Sequence, residues 1–409
     1  MKGTSLGNAG NDLPLAGIRV LDLATVLAAP VAATMLGDFG AEVVKIEEPV
    51  NGDFTRGTSA DISIGRRSLQ WLQEGRNKKS VTIDLRTAAG QQLVKDLVPH
   101  FDVIITNFRL PTLERWGLTP EQLHQLHPSG IIAALTGYGL TGPYRDRGAF
   151  DRIASAYSGL TFVTGEPGGP PMRSGFAMID YSAAYLAAFA VVMCLYHRDV
   201  HGATGQIIDL ALYEAGFRAS EDALLDYVVN GRVRSRNGNL NSTIVPASDF
   251  ETSDGRWVSV HAGTESLFRR MIATIGRSDL ESDPRFSSML ARVENQSALY
   301  SIIAEWMIDQ QADSVVNLLN ESGVPAALIM SIADIAVDPH YLDRGTIVDV
   351  KDDEYGVLSM VAPLPKLSET PGRIGSLGPA LGEHTAQVLS ETLGLSEQFL
   401  LGLHQDGVI

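Results

Sequence analysis

The chain has 409 residues, 44% hydrophobic and 20% charged, which is enough apolar material for a sizeable core and a length that suits two or more domains. Its 32 Lys and Arg stand against 48 Asp and Glu, a formal net charge of −16. Such acidity excludes broad binding to nucleic acid or anionic membrane, and an anionic ligand needs a locally basic pocket.

Met1 to Asn11 is rich in Gly and Asn, lacks the apolar run of a signal peptide and reads as a frayed tail. Ile18–Leu23 reads as a strand, 30–39 as a helix and Glu42–Glu47 as the next strand. The pattern repeats with a strand at Ser80–Leu85, a helix at Ala88–Val98, and strands at Asp102–Thr106 and Gly130–Leu135. Strands alternating with short helices predict a parallel, doubly wound, Rossmann-like α/β sheet. A nearly uncharged helix follows from Tyr181 to Arg198; its longest apolar stretch, Ala183–Tyr196, is too short to span a bilayer and reads as a buried helix.

After Leu212 the texture changes to turn signals (Asn230-Gly231, Asn237-Gly238-Asn239, Ser253-Asp254-Gly255) and further helices at 266–276 and 297–322. The expected division is a large α/β domain over 1–224, a smaller α+β domain over 225–340, and a tail, 341–409, that returns to the first. The lone cysteine, Cys194, excludes an intrachain disulfide, reads as a small buried hydrophobe and suits a reducing cytoplasm.

Three motif matches fail on context. Gly137-Tyr138-Gly139-Leu140-Thr141-Gly142 fits the dinucleotide pattern G-x-G-x-x-G, but Pro143-Tyr144-Arg145-Asp146 follows where an apolar helix is required. Gly3-Thr4-Ser5-Leu6-Gly7 has the spacing of a hydrolase elbow, yet no strand and helix flank it. His124 and His127 share a helix face without a third metal ligand nearby.

The basic residues cluster. Arg66, Arg67, Arg76, Lys78 and Lys79 precede one strand, Arg86 follows it, and Arg109 and Arg115 flank the loop after Asn107. Loops at the carboxyl ends of parallel strands bind ligands, so these cations read either as a phosphate site or as a solvated face.

Two carboxylates stand out. Asp151 and Asp180 lie 29 positions apart, and the turn-rich Gly165-Glu166-Pro167-Gly168-Gly169-Pro170-Pro171 between them folds the chain back so that both can reach one pocket. Asp180 opens the apolar helix, which suits either a nucleophile or a helix cap; Asp151 alone reads as a surface or turn carboxylate.

Taken with their order along the chain, these residues resemble the family III (CaiB/BaiF-type) CoA-transferases, the group of formyl-CoA and carnitine CoA-transferases and acyl-CoA racemases. The likeness runs through Leu15–Leu23 with Ala29-Pro30, Gly37–Glu47, Gly52-Asp53 with Arg56, Asn77–Ser80, Asn107-Phe108, Gly137–Tyr144, Thr164-Gly165 with Gly169-Pro170-Pro171, and Pro379–Thr385. It implies Asp180 as the catalytic carboxylate with Asp151 positioning the site, and CoA held by Asn77, Lys78, Lys79, Ile83, Arg86, Asn107, Phe108 and Arg115. It implies a split large domain formed by both chain ends, an interlocked homodimer, and no permanently bound cofactor, with a coenzyme A thioester as substrate.

The implied reaction moves CoA between carboxylates through an anhydride and a thioester on Asp180, so neither ATP nor metal is required. An ordinary carboxylate pKa near 4 makes a weak nucleophile, and positioning, desolvation and helix-start or glycine-loop amides must supply the catalysis. Leu27 stands where the formyl-CoA enzyme has Gln, and its glycine run has no counterpart around Arg236–Asn241, against formate or oxalate. Relatives commonly take succinyl-CoA, and Arg173 is a candidate for pairing with a remote carboxylate. Racemases place a His before the Asp matching Asp151; Phe150 stands here and transfers no proton. A non-catalytic CoA-binding subunit in a heteromer with a paralogue is the remaining alternative.

Overall fold

The computed structural model describes residues 13–58 and 67–409. Arg66, the Gly3–Gly7 motif and the Met1–Asn11 tail lie outside the described residues. The chain forms two compact units: the first comprises residues up to Leu160, Arg173–Leu225 and Gly345–Ile409; the second comprises Thr161–Met172 and Asp226–Arg344. Thr161–Met172 thus joins the second unit, although a linear division at 224 assigns it to the first.

The first unit is built on a six-stranded parallel sheet: β1 (Arg19–Asp22), β2 (Glu42–Glu47), β3 (Lys78–Thr82), β4 (Val103–Thr106), β5 (Ile131–Thr136) and β6 (Ile207–Ala211). Their spatial order is β3-β2-β1-β4-β5-β6, so the winding reverses between β1 and β4. Loops leaving the carboxyl ends of these two strands diverge and open a crevice, the place where doubly wound sheets bind ligands.

Both faces of the sheet are covered, which is why its strands are continuous apolar runs. Val20, Val43, Val103, Ile105, Ala133 and Leu135 face helices Ala28–Asp38 and Met178–His201, while Leu21, Val44, Ile104 and Ile132 face the opposite core with helices Ala88–Leu97, Thr385–Leu393 and Glu397–Gln405. Ala28, Ala29, Ala32 and Ala33 on one helix meet Ala183, Ala184, Ala187 and Ala188 on the other, and such small side chains let the backbones approach closely.

Helix Met178–His201 extends beyond the apolar stretch legible in sequence, to 24 residues that contain an 18-residue window of mean hydropathy 1.8, long and apolar enough by length and composition to cross a membrane, with half of that window buried. The stretch Ala183–Tyr196 is helical as expected, and its flanks are helical too. One face is buried on the sheet; the other presents Tyr185, Phe189, Val192, Met193, Tyr196 and Val200 to solvent at spacings of three and four, a continuous apolar stripe.

Strand β3 begins two residues earlier than the sequence predicts, at Lys78. A lysine reads as a strand boundary, but the Lys78 side chain is completely buried, with Nζ 2.9 Å from Asp22 and donating to the Pro30 carbonyl at 2.7 Å. Lys45, in the middle of β2, is equally buried between Asp53 (3.0 Å) and Asp22 (3.7 Å).

The second unit holds a three-stranded antiparallel sheet, β7 (Ala247–Glu251), β8 (Trp257–His261) and β9 (Ala326–Leu328), with helices packed around Phe250, Phe268, Met271, Phe286 and Ile303. The helix expected over 297–322 is two, Gln296–Met307 and Ala312–Glu321. Within this unit the Pro-rich turn and the Arg236–Asn241 loop are tied together: Gly238 N–H donates to the Gly165 carbonyl at 2.9 Å, and Arg236 donates to the Gly169 and Phe162 carbonyls.

Candidate active site

A cavity of about 680 Å³ occupies the crevice at the switch in strand order. Its walls are Thr25–Ala28 after β1, Asn107–Arg109 after β4, the end of β5 with Gly137, the segment Arg147–Phe150, Leu212, and Asp180. A separate cavity of about 860 Å³ between β3 and the two C-terminal helices holds none of these groups.

Asp180 sits in the first turn of helix Met178–His201, three residues past the N-cap position Ala177. It is therefore not the helix cap. That task falls to Asp151, which opens helix Asp151–Tyr157 and whose Oδ1 accepts from the backbone N–H of Ile179 (2.9 Å) and of Asp180 (3.4 Å). The two carboxylates thus meet: one holds the backbone of the other. Gly216 allows the approach, because a Cβ there would lie 2.6 Å from both Ile179 Cδ1 and Ser158 Oγ. On the next residue, the Tyr181 hydroxyl donates to Glu74 at 2.9 Å.

The Asp180 residue is only 7% exposed, and burial first and the neighbouring Asp151 charge second push its pKa up to about 7. The ordinary carboxylate value expected from sequence is corrected here. A higher pKa makes the ionised form a stronger nucleophile, at the cost of a smaller ionised fraction at neutral pH. The helix-start amides are also reassigned: those of Ile179 and Asp180 are occupied by Asp151.

The profile of CoA-transferase family III matches residues 15–385. The chain belongs to that family. It is a CoA-transferase, acting on CoA thioesters. It is 40% identical over 396 residues to a succinyl-CoA–D-citramalate CoA-transferase of Chloroflexus aurantiacus, covering 97% of this chain and 98% of that protein. It is 41% identical over 400 residues to the beta subunit of a succinyl-CoA–L-malate CoA-transferase of the same organism, at 97% and 98% coverage. A human succinyl-CoA:glutarate CoA-transferase is 31% identical over 407 residues, covering 100% of this chain and 92% of that protein. Among solved structures, a CaiB/BaiF family protein from Brucella suis superposes with a TM-score of 0.82 at 32% identity, over 93% of this chain and all of that one.

Against this family III frame, the sequence-derived CoA residues divide. Asn107 and Phe108 line the cavity with Asp180; Asn107 also brackets Thr25 through its N–H and carbonyl, and Phe108 packs edge-on against Trp116 at 4.9 Å. Lys78 and Ile83 are buried, and the Lys78 ammonium is spent on Asp22 and Pro30, so its place is in the support of the fold. Asn77 holds Asp38, the Arg373 carbonyl and Gly375 N–H. Lys79 pairs with Glu42, Arg86 with Asp84 and Glu48, and Arg115 is exposed beside Thr112. Arg67 and Arg76 are likewise matched, by Asp352 with Glu354 and by Asp38. The basic cluster is thus largely neutralised by local acids, a pairing that a charge count along the sequence does not reveal.

Arg109 and Arg147 are the cations on the cavity wall, Arg147 stacked 3.6 Å over the Tyr144 ring. Arg147 is not among the candidates that the sequence offers; its one signal there is its position four residues before Asp151. Gly139 and Gly142 adopt positive φ in a turn, with no helix until Asp151, so the segment is a cavity wall rather than a dinucleotide loop. Arg173 is exposed, donates to the Ser174 carbonyl and is not among the cavity's lining residues.

Proposed function

We propose that the protein moves CoA from succinyl-CoA to a second dicarboxylic acid, with Asp180 as nucleophile. The acids in the names of its relatives, citramalate, malate and glutarate, are all dicarboxylic. The observation that carries the reading is the buried Asp180 carboxylate on the wall of a cavity at the switch point of the sheet.

In this reading the ionised Asp180 attacks the thioester carbonyl, the C–S bond breaks, and a mixed anhydride and CoA thiolate result. The thiolate then attacks the aspartyl carbonyl, the anhydride C–O bond breaks, and succinate leaves with its electron pair. The acceptor carboxylate repeats both steps in reverse, which returns Asp180 to its ionised form with no net proton change. Developing oxyanions gain from the uncapped start of helix Ala28–Asp38, whose N-cap residue Leu27 lies on the cavity wall. Asn107 and Phe108 contact the CoA, and Arg109 and Arg147 meet its phosphates. The apolar neighbours Leu135, Ile153 and Leu212 limit water, the competing acceptor for the anhydride.

The racemase reading gains nothing from the geometry, since Phe150, 67% exposed, supplies no proton carrier before Asp151. An interlocked homodimer is part of the proposal; the exposed apolar stripe on helix Met178–His201 is the kind of surface a second copy covers. A cytoplasmic location also belongs to it, as a lone thiol at Cys194 suits a reducing compartment.

Intact-protein mass after incubation with succinyl-CoA tests the mechanism. A CoA-sized covalent adduct on the wild type, absent from Asp180→Ala while that variant still binds CoA, is the expected outcome. Full transfer activity in Asp180→Ala would overturn it.

A further inference from the structure

Four consecutive cavity-wall residues, Thr25 to Ala28, form the turn between β1 and helix Ala28–Asp38. Val26 in this turn has φ 71°, the left-handed region that a β-branched side chain disfavours by direct clash with its own backbone. Such a conformation persists only where its surroundings over-determine it, and here they do.

Buried charged groups and the half-buried Asn107 amide fix the polar backbone atoms of the turn one after another. Ala24 N–H donates to Asp22 Oδ1 at 3.0 Å and the Ala24 carbonyl accepts from Lys45 Nζ at 2.7 Å. Thr25 is gripped at both its N–H (2.9 Å) and its carbonyl (2.6 Å) by the Asn107 amide. Val26 N–H donates to Asp53 Oδ2 at 3.3 Å, and that same oxygen lies 3.0 Å from Lys45 Nζ. Asp53 is itself pinned, its other oxygen accepting from Thr55 N–H and hydroxyl at 2.9 and 2.6 Å. Asp53 is not among the cavity's lining residues, so its effect on chemistry passes through the turn, directly at Val26 and through Lys45 at Ala24.

The geometry points to Asp53 as a positioning residue of the acyl-transfer site: by holding the strained Val26, it sets the Thr25–Ala28 wall against Asp180. A segment relaxed to an ordinary β or α conformation would turn its backbone away from the position Asp53 imposes and move the start of helix Ala28–Asp38 with it. This inference rests on the transferase reading above and adds to it the group that preorganises the wall facing the nucleophile.

The test compares wild type, Asp53→Asn, Val26→Gly and the double variant by kcat and KM for CoA transfer from succinyl-CoA, by Tm, and by amide hydrogen exchange of the 24–29 segment. Glycine adopts φ 71° without clash, so in the double variant the turn can take up its native conformation without the hold of Asp53. Expected is a fall in kcat of about tenfold or more in Asp53→Asn, as misplacement of a catalytic wall produces, with KM for succinyl-CoA within about threefold. Exchange at 24–29 quickens in Asp53→Asn, and adding Val26→Gly recovers about threefold or more of the lost kcat, because both act on one element. Full kcat in Asp53→Asn, or losses that simply multiply in the double variant, would overturn the proposal. If Asp53→Asn fails to fold, Thr55→Val, which removes the hydroxyl that holds Asp53, decides by the same two readouts: kcat falls and exchange at 24–29 quickens if the proposal holds, and neither changes if it does not. A wild type that transfers no CoA brings down the transferase reading instead; the exchange arm still judges the positioning claim, which protection of 24–29 surviving in Asp53→Asn refutes.

Discussion

The Asp180 and Asp151 side chains show how two like groups take different tasks from their surroundings. Asp151 spends one oxygen on the amides of Ile179 and Asp180, whereas among the described residues no side chain hydrogen-bonds the Asp180 carboxylate, which suits the chemistry we propose for it. In the proposed mechanism the ionised carboxylate is the nucleophile, and with its pKa raised to about 7, activity should be lost as pH falls through that value and be full above it. We therefore expect kcat/KM to rise with pH along a single-proton limb centred near 7. Asp151→Asn keeps an oxygen to cap the helix but removes the like charge, so its limb moves to lower pH, while burial still holds the midpoint above an ordinary carboxylate value. At pH 6 the variant should retain a larger fraction of its own plateau rate than the wild type does. An unmoved limb in Asp151→Asn would show that burial alone sets the Asp180 pKa.

At the scale of elements, the parallel sheet carries its own buried charges. Lys78 opens β3 with its ammonium sealed against Asp22, and burial is the leading influence on it, lowering its pKa against the opposing pull of Asp22. Replacing Lys78 by Met removes one partner of a buried pair, although Lys45 still faces Asp22 at 3.7 Å, and should cost on the order of 3 kcal/mol in urea unfolding. CoA affinity of the folded variant should stay within about twofold, whereas a lost direct phosphate contact would weaken it by about tenfold or more. Titration with CoA beside the unfolding curve separates the two roles. Helix Met178–His201 depends on the same economy of contacts: alanines press its inner face onto helix Ala28–Asp38, Asp151 caps its start, and Glu74 holds Tyr181.

For the whole molecule, the outer face of that helix is the feature a single chain leaves unanswered. Phe189 is 61% exposed in the middle of the stripe, with Tyr185, Val192, Met193 and Tyr196 around it. In the homodimer we propose, Phe189→Glu places a charge in an apolar interface and should convert the sedimenting species from dimer to monomer. A wild type that sediments as a monomer at micromolar concentration would refute the dimer directly. The net charge of −16 bears on ligands at this scale as well: with the basic cluster around β3 largely matched to local acids, the anionic substrate we propose would meet positive charge at particular points such as Arg109 and Arg147.

The sequence by itself determined the alternation of strands and helices, because apolar periodicity is a local property: β2 was legible to the residue, Glu42–Glu47. Residue order and type likewise singled out Asp151 and Asp180 together. Only the tertiary structure decided which of them caps a helix, since that depends on a contact across 28 positions. The same holds for Lys78, which reads as a phosphate contact or a solvated cation until the sheet closes over it beside Asp22, and for Lys45, whose partners Asp22 and Asp53 are distant in sequence. Val26 gives no sign in sequence of its positive φ, because a valine adopts it only where distant groups, here Asp53, Lys45 and Asn107, hold the turn around it. Local pattern writes the elements; the charge of a buried group and the conformation of a strained one are set by what the fold brings beside them.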